Sequence, residues 1–252
     1  MNKLAAFISY LREQVENHSI YVWGAQGQHA PEITAEWIRK MEPSHSNADR
    51  AIRYWRAQVE AGYGDVLRAF DCSGLAMYWL QNEQHILEYD TTAAGLCSMC
   101  TQIDKADLRV GDFVFRRDGN GDIKHVGYVV DNDISVIEAR GRDAGVMCDG
   151  LPNGSWNTYG RPPFWTEREV AEVQGKPIFT RTLKWGCIGE DVCALKRLLA
   201  NAGYGGLNVD NKNYFGSTRT IVKAYQAAHN LTVDGKAGKK TVTSLGGFWD
   251  GK

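Results

Sequence analysis

Charge of one sign is scarce in this chain of 252 residues: 29 Lys and Arg stand against 30 Asp and Glu, a net of −1 at neutral pH. That balance does not suggest nucleic acid as a partner. No run of about 18 apolar residues occurs, which excludes a membrane-spanning helix. The opening stretch MNKLAAFISYLREQVEN sets Leu4, Phe7, Ile8, Leu11 and Val15 at helical spacing, but Arg12 and Glu13 interrupt it. It reads as an amphipathic helix, too polar for the core of a secretion signal. The expectation is a protein made in a cytoplasm and released by other means if it acts outside. The CSMC pair at 97–100 has no second CxxC to complete a zinc site. DGNGD at 118–122 puts Ile123 where a calcium loop needs glycine, so a plain β-turn is expected there.

Six cysteines are present: Cys72, Cys97, Cys100, Cys148, Cys187 and Cys193. In a chain of this size without a secretion signal they read as free thiols. Cys97 and Cys100 fall on one helix face, as packing residues; a zinc set of Cys97, Cys100 and Cys148 is the weaker reading. Charge is also unevenly spread. Residues 181–252 hold 11 basic against 5 acidic residues, a balance of +6, while the rest holds 18 against 25, a balance of −7. A basic tail on an acidic body suits an anionic polymer as partner.

Two textures follow one another along the chain. After the first helix, SIYVWGAQG reads as a short strand ended by glycines. Residues 32–69 read as helix in two pieces broken at Pro43, with Asn47 as the N-cap of the second. CSGLAMYWLQNEQ and residues 91–102 read as helices. The period then drops to two: GDFVFRR, KHVGYVVDN, ISVIEARG and GVMCDG read as an antiparallel meander. Residues 1–167 thus form an α+β domain. A proline-bearing, charged linker follows over 168–180. Residues 181–252 form a small all-α module whose helices are stopped by glycine.

The chemistry gathers around AFDCSGL. Cys72 sits at a helix start, where unpaired N–H groups favour a thiolate and its own or its neighbour Ser73's N–H faces a developing oxyanion. Asp71 is placed to cap that first turn. Of the six histidines, His18, His29, His45 and His229 lie in polar surroundings and His85 is too far along its helix. His125 opens a strand and is the candidate base. A hairpin closed by Asp131 and Asn132 sets Val130 opposite Asp133 and His125 opposite Glu138, on one face, where a carboxylate holds the imidazole's tautomer. A slip of one residue would turn Glu138 to the other face.

The ordered segments YVWGAQG, FDCSGL, RVGDFVF, KHVGYVV and VIEARG resemble the NlpC-type family of cell-wall cysteine peptidases, which has a papain-like α+β fold with an antiparallel sheet. The resemblance spans the catalytic segments of residues 20–141. It implies Cys72 as nucleophile, His125 as base, Glu138 as the polar third residue and Tyr21 beside the oxyanion, with Ser73 and Asp71 on the substrate side, no metal and no cofactor. Two features depart from the family. Its third residue is often histidine, and about 45 residues (26–70) separate the Tyr21 strand from Cys72, where the family commonly has about a dozen. The tail, GCIGEDVCALKRLLANAGYG followed by FGSTRTIVKAYQAAHNLTVDGKAGKKTVTSL, is similar to the helical peptidoglycan-binding module of wall hydrolases, with Lys196 and Tyr225 in place of its usual Gln and Phe.

Together the resemblances imply a peptidoglycan hydrolase that cuts a stem-peptide bond, the γ-D-glutamyl bond to the diamino acid, while the tail holds the wall. Without a secretion signal, a phage endolysin released through a holin pore is expected. The rivals are an N-acetylmuramoyl-L-alanine amidase or acyl transferase using the same Cys–His pair, and a non-catalytic wall-binding protein.

Overall fold

The computed structural model describes residues 2–251. The chain divides into two compact units, Met1–Thr166 and Glu167–Lys252.

The first unit opens with α1 (Lys3–Glu16), whose N-terminus is capped by the Asn2 side chain accepting from the Ala5 N–H. Its apolar stripe is buried through Leu4, Phe7, Ile8 and Leu11. Two short strands follow, β1 (Ile20–Tyr21) and β2 (Gln26–His29). Next come α2 (Ala35–Met41) and α3 (His45–Glu60). The cap of α3 is Ser44, whose hydroxyl accepts from the Asn47 N–H at 3.2 Å; the helix therefore starts three residues earlier than Asn47 as cap would have it. Residues 68–70, where no strand was expected, form β3 (Arg68–Phe70), parallel to β1 and antiparallel to β2. The pairing sets Tyr21 beside Phe70 and delivers the chain to Asp71 and Cys72.

A four-residue α4 (Gly74–Met77) starts the next helix, which continues as one π-helical stretch through Glu83. After α5 (Ala93–Met99) the chain builds one antiparallel sheet of six strands, in the order β4-β9-β5-β6-β7-β8. These are β4 (Thr101–Gln102), β5 (Phe113–Arg117), β6 (Ile123–Val129), β7 (Ser135–Gly141), β8 (Gly145–Gly150) and β9 (Thr158–Arg161). The meander was legible; β4 and β9 were not. The core centres on Phe7, whose ring lies 5.1 Å from Trp79, 5.2 Å from Trp165 and 5.7 Å from Tyr128, the last edge-on. Removing such a ring costs about 3–5 kcal/mol.

The second unit begins with regular structure where a linker was expected: α6 (Glu167–Val173) and β10 (Ile178–Phe179). β10 pairs in parallel with the terminal β11 (Phe248–Trp249), tying the two ends of the unit together. Between them lie α7 (Glu190–Asn201), α8 (Gly216–Ala228) and α9 (Lys239–Ser244). Leu195, Leu199, Tyr214, Val222 and Val242 form their common core. The polar replacements noted in the tail sequence are satisfied: Lys196 donates to the Asn211 carbonyl, and Tyr225 shares a hydrogen bond with Ser244 at 2.8 Å.

Candidate active site

Asp71 acts as the cap the sequence suggested. Its Oδ1 accepts from the Gly74 N–H at 2.6 Å and the Ser73 hydroxyl at 3.1 Å, and its Oδ2 accepts from the Gly24 N–H at 3.1 Å. The glycine after Ser73 has a steric cause. A Cβ on Gly74 would lie 2.1 Å from the Ala25 carbonyl oxygen, so only glycine lets the helix start pass under the loop after β1.

Cys72 is held from β6. The Tyr128 hydroxyl donates to the Cys72 carbonyl at 2.7 Å. The backbone N–H groups of Val126, of Ser73 and of Cys72 itself lie near enough to the Cys72 sulfur to favour its thiolate. Val126 directly follows His125, so the sulfur sits against the His125 end of β6. The expected thiolate is not the resting state. Burial, and after it the Asp71 carboxylate, push the thiol up to about 12, and the three N–H groups only partly offset this.

His125 and Glu138 meet: His125 Nε2 lies 2.5 Å from Glu138 Oε2. The expected register is nevertheless off by two. Tyr128 pairs with Ile137 and Val129 with Val136, and the loop runs over four residues, Asp131 to Ile134. Asp131 Oδ1 accepts from the N–H groups of Asp133 and Ser135, which builds the wider turn. An offset of two preserves the face, so Glu138 reaches His125 along the diagonal.

Glu138 is 2% exposed and carries more than one partner. Arg140 Nε donates to Oε1 at 2.8 Å, and Arg116 Nη2 approaches Oε2 at 3.4 Å. Arg140 also holds Asp149 at 3.1 Å. Burial alone would raise the Glu138 carboxyl, but the His125 hydrogen bond and Arg140 outweigh it, and the group lies below its ordinary value of 4.5. His125 lies below its ordinary 6.5: burial lowers it, the Glu138 hydrogen bond raises it, and Arg116 lowers it again. The free site therefore rests as thiol, neutral imidazole and carboxylate.

Trp156 covers this group. Its ring stacks on His125 at 5.6 Å and 13°, and the Arg116 guanidinium lies 5.3 Å from its centroid. A Cβ on Gly127 would come within 2.8 Å of that indole and 2.6 Å of Val136, which accounts for the glycine two residues after His125. Tyr21 is buried at the end of β1. Its hydroxyl is raised well above the ordinary range by burial and then by the nearness of Cys72 and Asp71. Cys72, Ser73, Asp71 and Tyr21 thus gather at the helix start, and His125 and Glu138 pair on the strand whose Tyr128 holds the Cys72 carbonyl. Arg116, Arg140 and Trp156 were missed. Arg140 had a signal, since it stands two positions from Glu138 in the same strand. Arg116 is the cross-strand partner of His125, legible only with the strand pairing. Nothing local marks Trp156.

His18 stacks on Tyr63 and His229 on Tyr225. Cys97, Cys100 and Cys148 do not converge: no group of three or more His, Cys, Asp or Glu able to hold a metal occurs among the described residues. Cys100 instead packs over Gly160, its thiol donating to the Leu96 carbonyl.

Residues 56–161 match the NlpC/P60 family, and residues 188–245 match a putative peptidoglycan binding domain. The probable endopeptidase NlpC of Escherichia coli (strain K12) is 30% identical over 120 residues, covering 47% of this chain and 73% of that protein. The chain belongs to the NlpC/P60 family of peptidoglycan hydrolases and carries a peptidoglycan-binding domain in its second unit. Among solved structures, a Burkholderia AP3 phage endolysin is 42% identical with a TM-score of 0.25, over 26% of this chain and only 25% of that one. NlpC1 from Trichomonas vaginalis is 20% identical with a TM-score of 0.43, over 66% of this chain and 46% of that one. Among the described residues no helix is long and apolar enough to cross a membrane.

Proposed function

We propose that this protein is a cysteine endopeptidase that cuts the γ-D-glutamyl bond to the diamino acid in the peptidoglycan stem. The observation that carries the reading is the 2.5 Å contact of His125 Nε2 with a buried carboxylate, on the strand whose Tyr128 hydroxyl holds the Cys72 carbonyl at 2.7 Å. With Nε2 engaged by Glu138, Nδ1 is left to take a proton.

The chemistry follows from the neutral resting pair. As Cys72 Sγ attacks the amide carbon, its proton passes to His125 and a carbon–sulfur bond forms. Glu138 then faces an imidazolium and stabilises it. Backbone N–H groups at Cys72 and Ser73, with the Tyr21 hydroxyl, receive the oxyanion. The imidazolium returns its proton to the leaving amine as the carbon–nitrogen bond breaks. Water, activated by the same imidazole, hydrolyses the thioester and restores the thiol.

The second unit holds the wall. A hollow of about 560 Å³ is floored by Gln226 and Thr241 and rimmed by Lys184, Lys236, Lys239 and Lys240. Cations there suit the free carboxylates of stem peptides, and tethering raises the local substrate concentration. One unit that cuts and one that holds is the division of labour expected of a phage endolysin.

Mass spectrometry of digested wall tests the reading. A new diamino-acid amine is expected; a freed lactyl carboxylate would mean an amidase instead. Cys72→Ser is expected to abolish lysis, and unchanged lysis would leave wall binding as the activity.

A further inference from the structure

The segment 26–70 is longer than the one the resemblance would lead one to expect, and it sends one carboxylate into the wall of the site. Glu42 follows α2, and its side chain is fully buried. Its Oε1 accepts from the Trp23 N–H at 3.1 Å. Its Oε2 accepts from Arg142 Nε at 2.8 Å, with Nη2 at 2.7 Å. The Arg142 guanidinium in turn lies 5.2 Å from the centroid of the Tyr21 ring. Residues 23–25 are gripped from the other side by Asp71, through the Gly24 N–H at 3.1 Å and the Asp71 N–H to the Ala25 carbonyl at 2.9 Å. The same insert meets the turn after β7 at two further points, Arg50 Nε to Asp143 at 2.8 Å and the Tyr54 hydroxyl to the Ala144 carbonyl at 2.9 Å.

A buried ion pair is a poor way to gain stability, because desolvation offsets most of the attraction. What it supplies here is fixed geometry. We infer that Glu42 and Arg142 are positioning residues that hold Tyr21 for the oxyanion: the carboxylate clamps the backbone at Trp23, and the guanidinium it orients covers the Tyr21 ring. The inference rests on the reading of Cys72 as nucleophile and Tyr21 as oxyanion donor. Neither Glu42 nor Arg142 touches a reacting atom; both act through Tyr21. The guanidinium has a second effect, since its charge works against burial and makes the phenol a better donor.

A double-mutant cycle on the full chain tests this, with a soluble stem peptide containing the γ-D-glutamyl diamino-acid link as the probe. Tyr21→Phe should lower kcat by about 10²-fold, the loss typical of one oxyanion donor. Glu42→Gln should lower kcat by about tenfold and leave KM within about twofold, because an oxyanion donor acts only in the transition state. The double variant should fall no further than Tyr21→Phe alone, within about twofold. Multiplying losses, a rise in KM in place of the fall in kcat, or an unchanged kcat for Glu42→Gln would overturn the inference. Should Glu42→Gln fail to fold, Glu42→Gln with Arg142→Gln leaves no unpaired buried charge and gives the same cycle. Cys72→Ser is run beside it. Residual turnover there would defeat the nucleophile reading, whereas an inactive Cys72→Ser with multiplying losses would defeat only the role of Glu42.

Discussion

Replacing Glu138 by glutamine removes a charge while keeping a shape. The amide oxygen can still accept from His125 Nε2, which lies 2.5 Å from the carboxylate in the parent, and from Arg140, now at 2.8 Å. The loss falls on the imidazolium that forms when His125 takes the thiol proton. Two opposite charges with centres about 4 Å apart at an effective dielectric constant of about 20 attract by about 4 kcal/mol. Arg140 and Arg116 share the carboxylate, so about 2–4 kcal/mol is expected to act on the reaction, a fall in kcat of about 30- to 1,000-fold. The pH profile supplies an independent sign. The Glu138 hydrogen bond and charge raise the His125 pKa against burial and Arg116; without them the imidazole titrates still lower. The acid limb of kcat/KM, already below 6.5 in the parent, should therefore move down in Glu138→Gln. Steady-state release of the diamino-acid amine, followed across the acid range for both proteins, measures both effects. A kcat within about threefold of the parent, or an acid limb that moves up, would refute the reasoning.

The remaining predictions concern fold, acid stability and wall binding. Gly74→Ala drives a Cβ into the Ala25 carbonyl oxygen and should lower stability by about 1–3 kcal/mol, whereas Gly119→Ala, with nothing within 4 Å, should be near neutral; thermal unfolding of the two compares them. Glu138 lies below its ordinary 4.5, so its stabilising share is present above that value and lost as pH falls through the lower folded value; acid titration of Glu138→Gln should lose less stability over that window than the parent. Lys236→Glu with Lys240→Glu should weaken sedimentation with purified wall, and binding by the parent should fall as salt rises toward 1 M, where screening acts within about 3 Å.

Much of the site was legible because its geometry rests on periodicities. The two-residue strand period kept Glu138 on the His125 face even though the loop after Val130 proved two residues wider than expected, since Asp131 collects two N–H groups into its turn. Asp71 was legible as a cap because capping is local. What could not be read depends on partners distant in the chain. Arg116 matters only through the pairing of β5 with β6, and Trp156 only because β9 returns beside β5. The ionisation of Cys72 was misjudged for the same reason. The helix start is local and argues for a thiolate, while the burial that outweighs it is assembled from the whole unit. The strand at 68–70 was not legible because its pairing partners, β1 and β2, lie some forty residues upstream.

Strand β6 carries the proposed base at His125, passes close to the Cys72 sulfur at Val126, and anchors the Cys72 carbonyl through Tyr128. Both reacting groups are thus referenced to a single stretch of four residues. If the sheet breathes or the helix after Cys72 shifts, sulfur and imidazole travel with the same segment, and the gap across which the proton must jump is insulated from motion elsewhere in the fold.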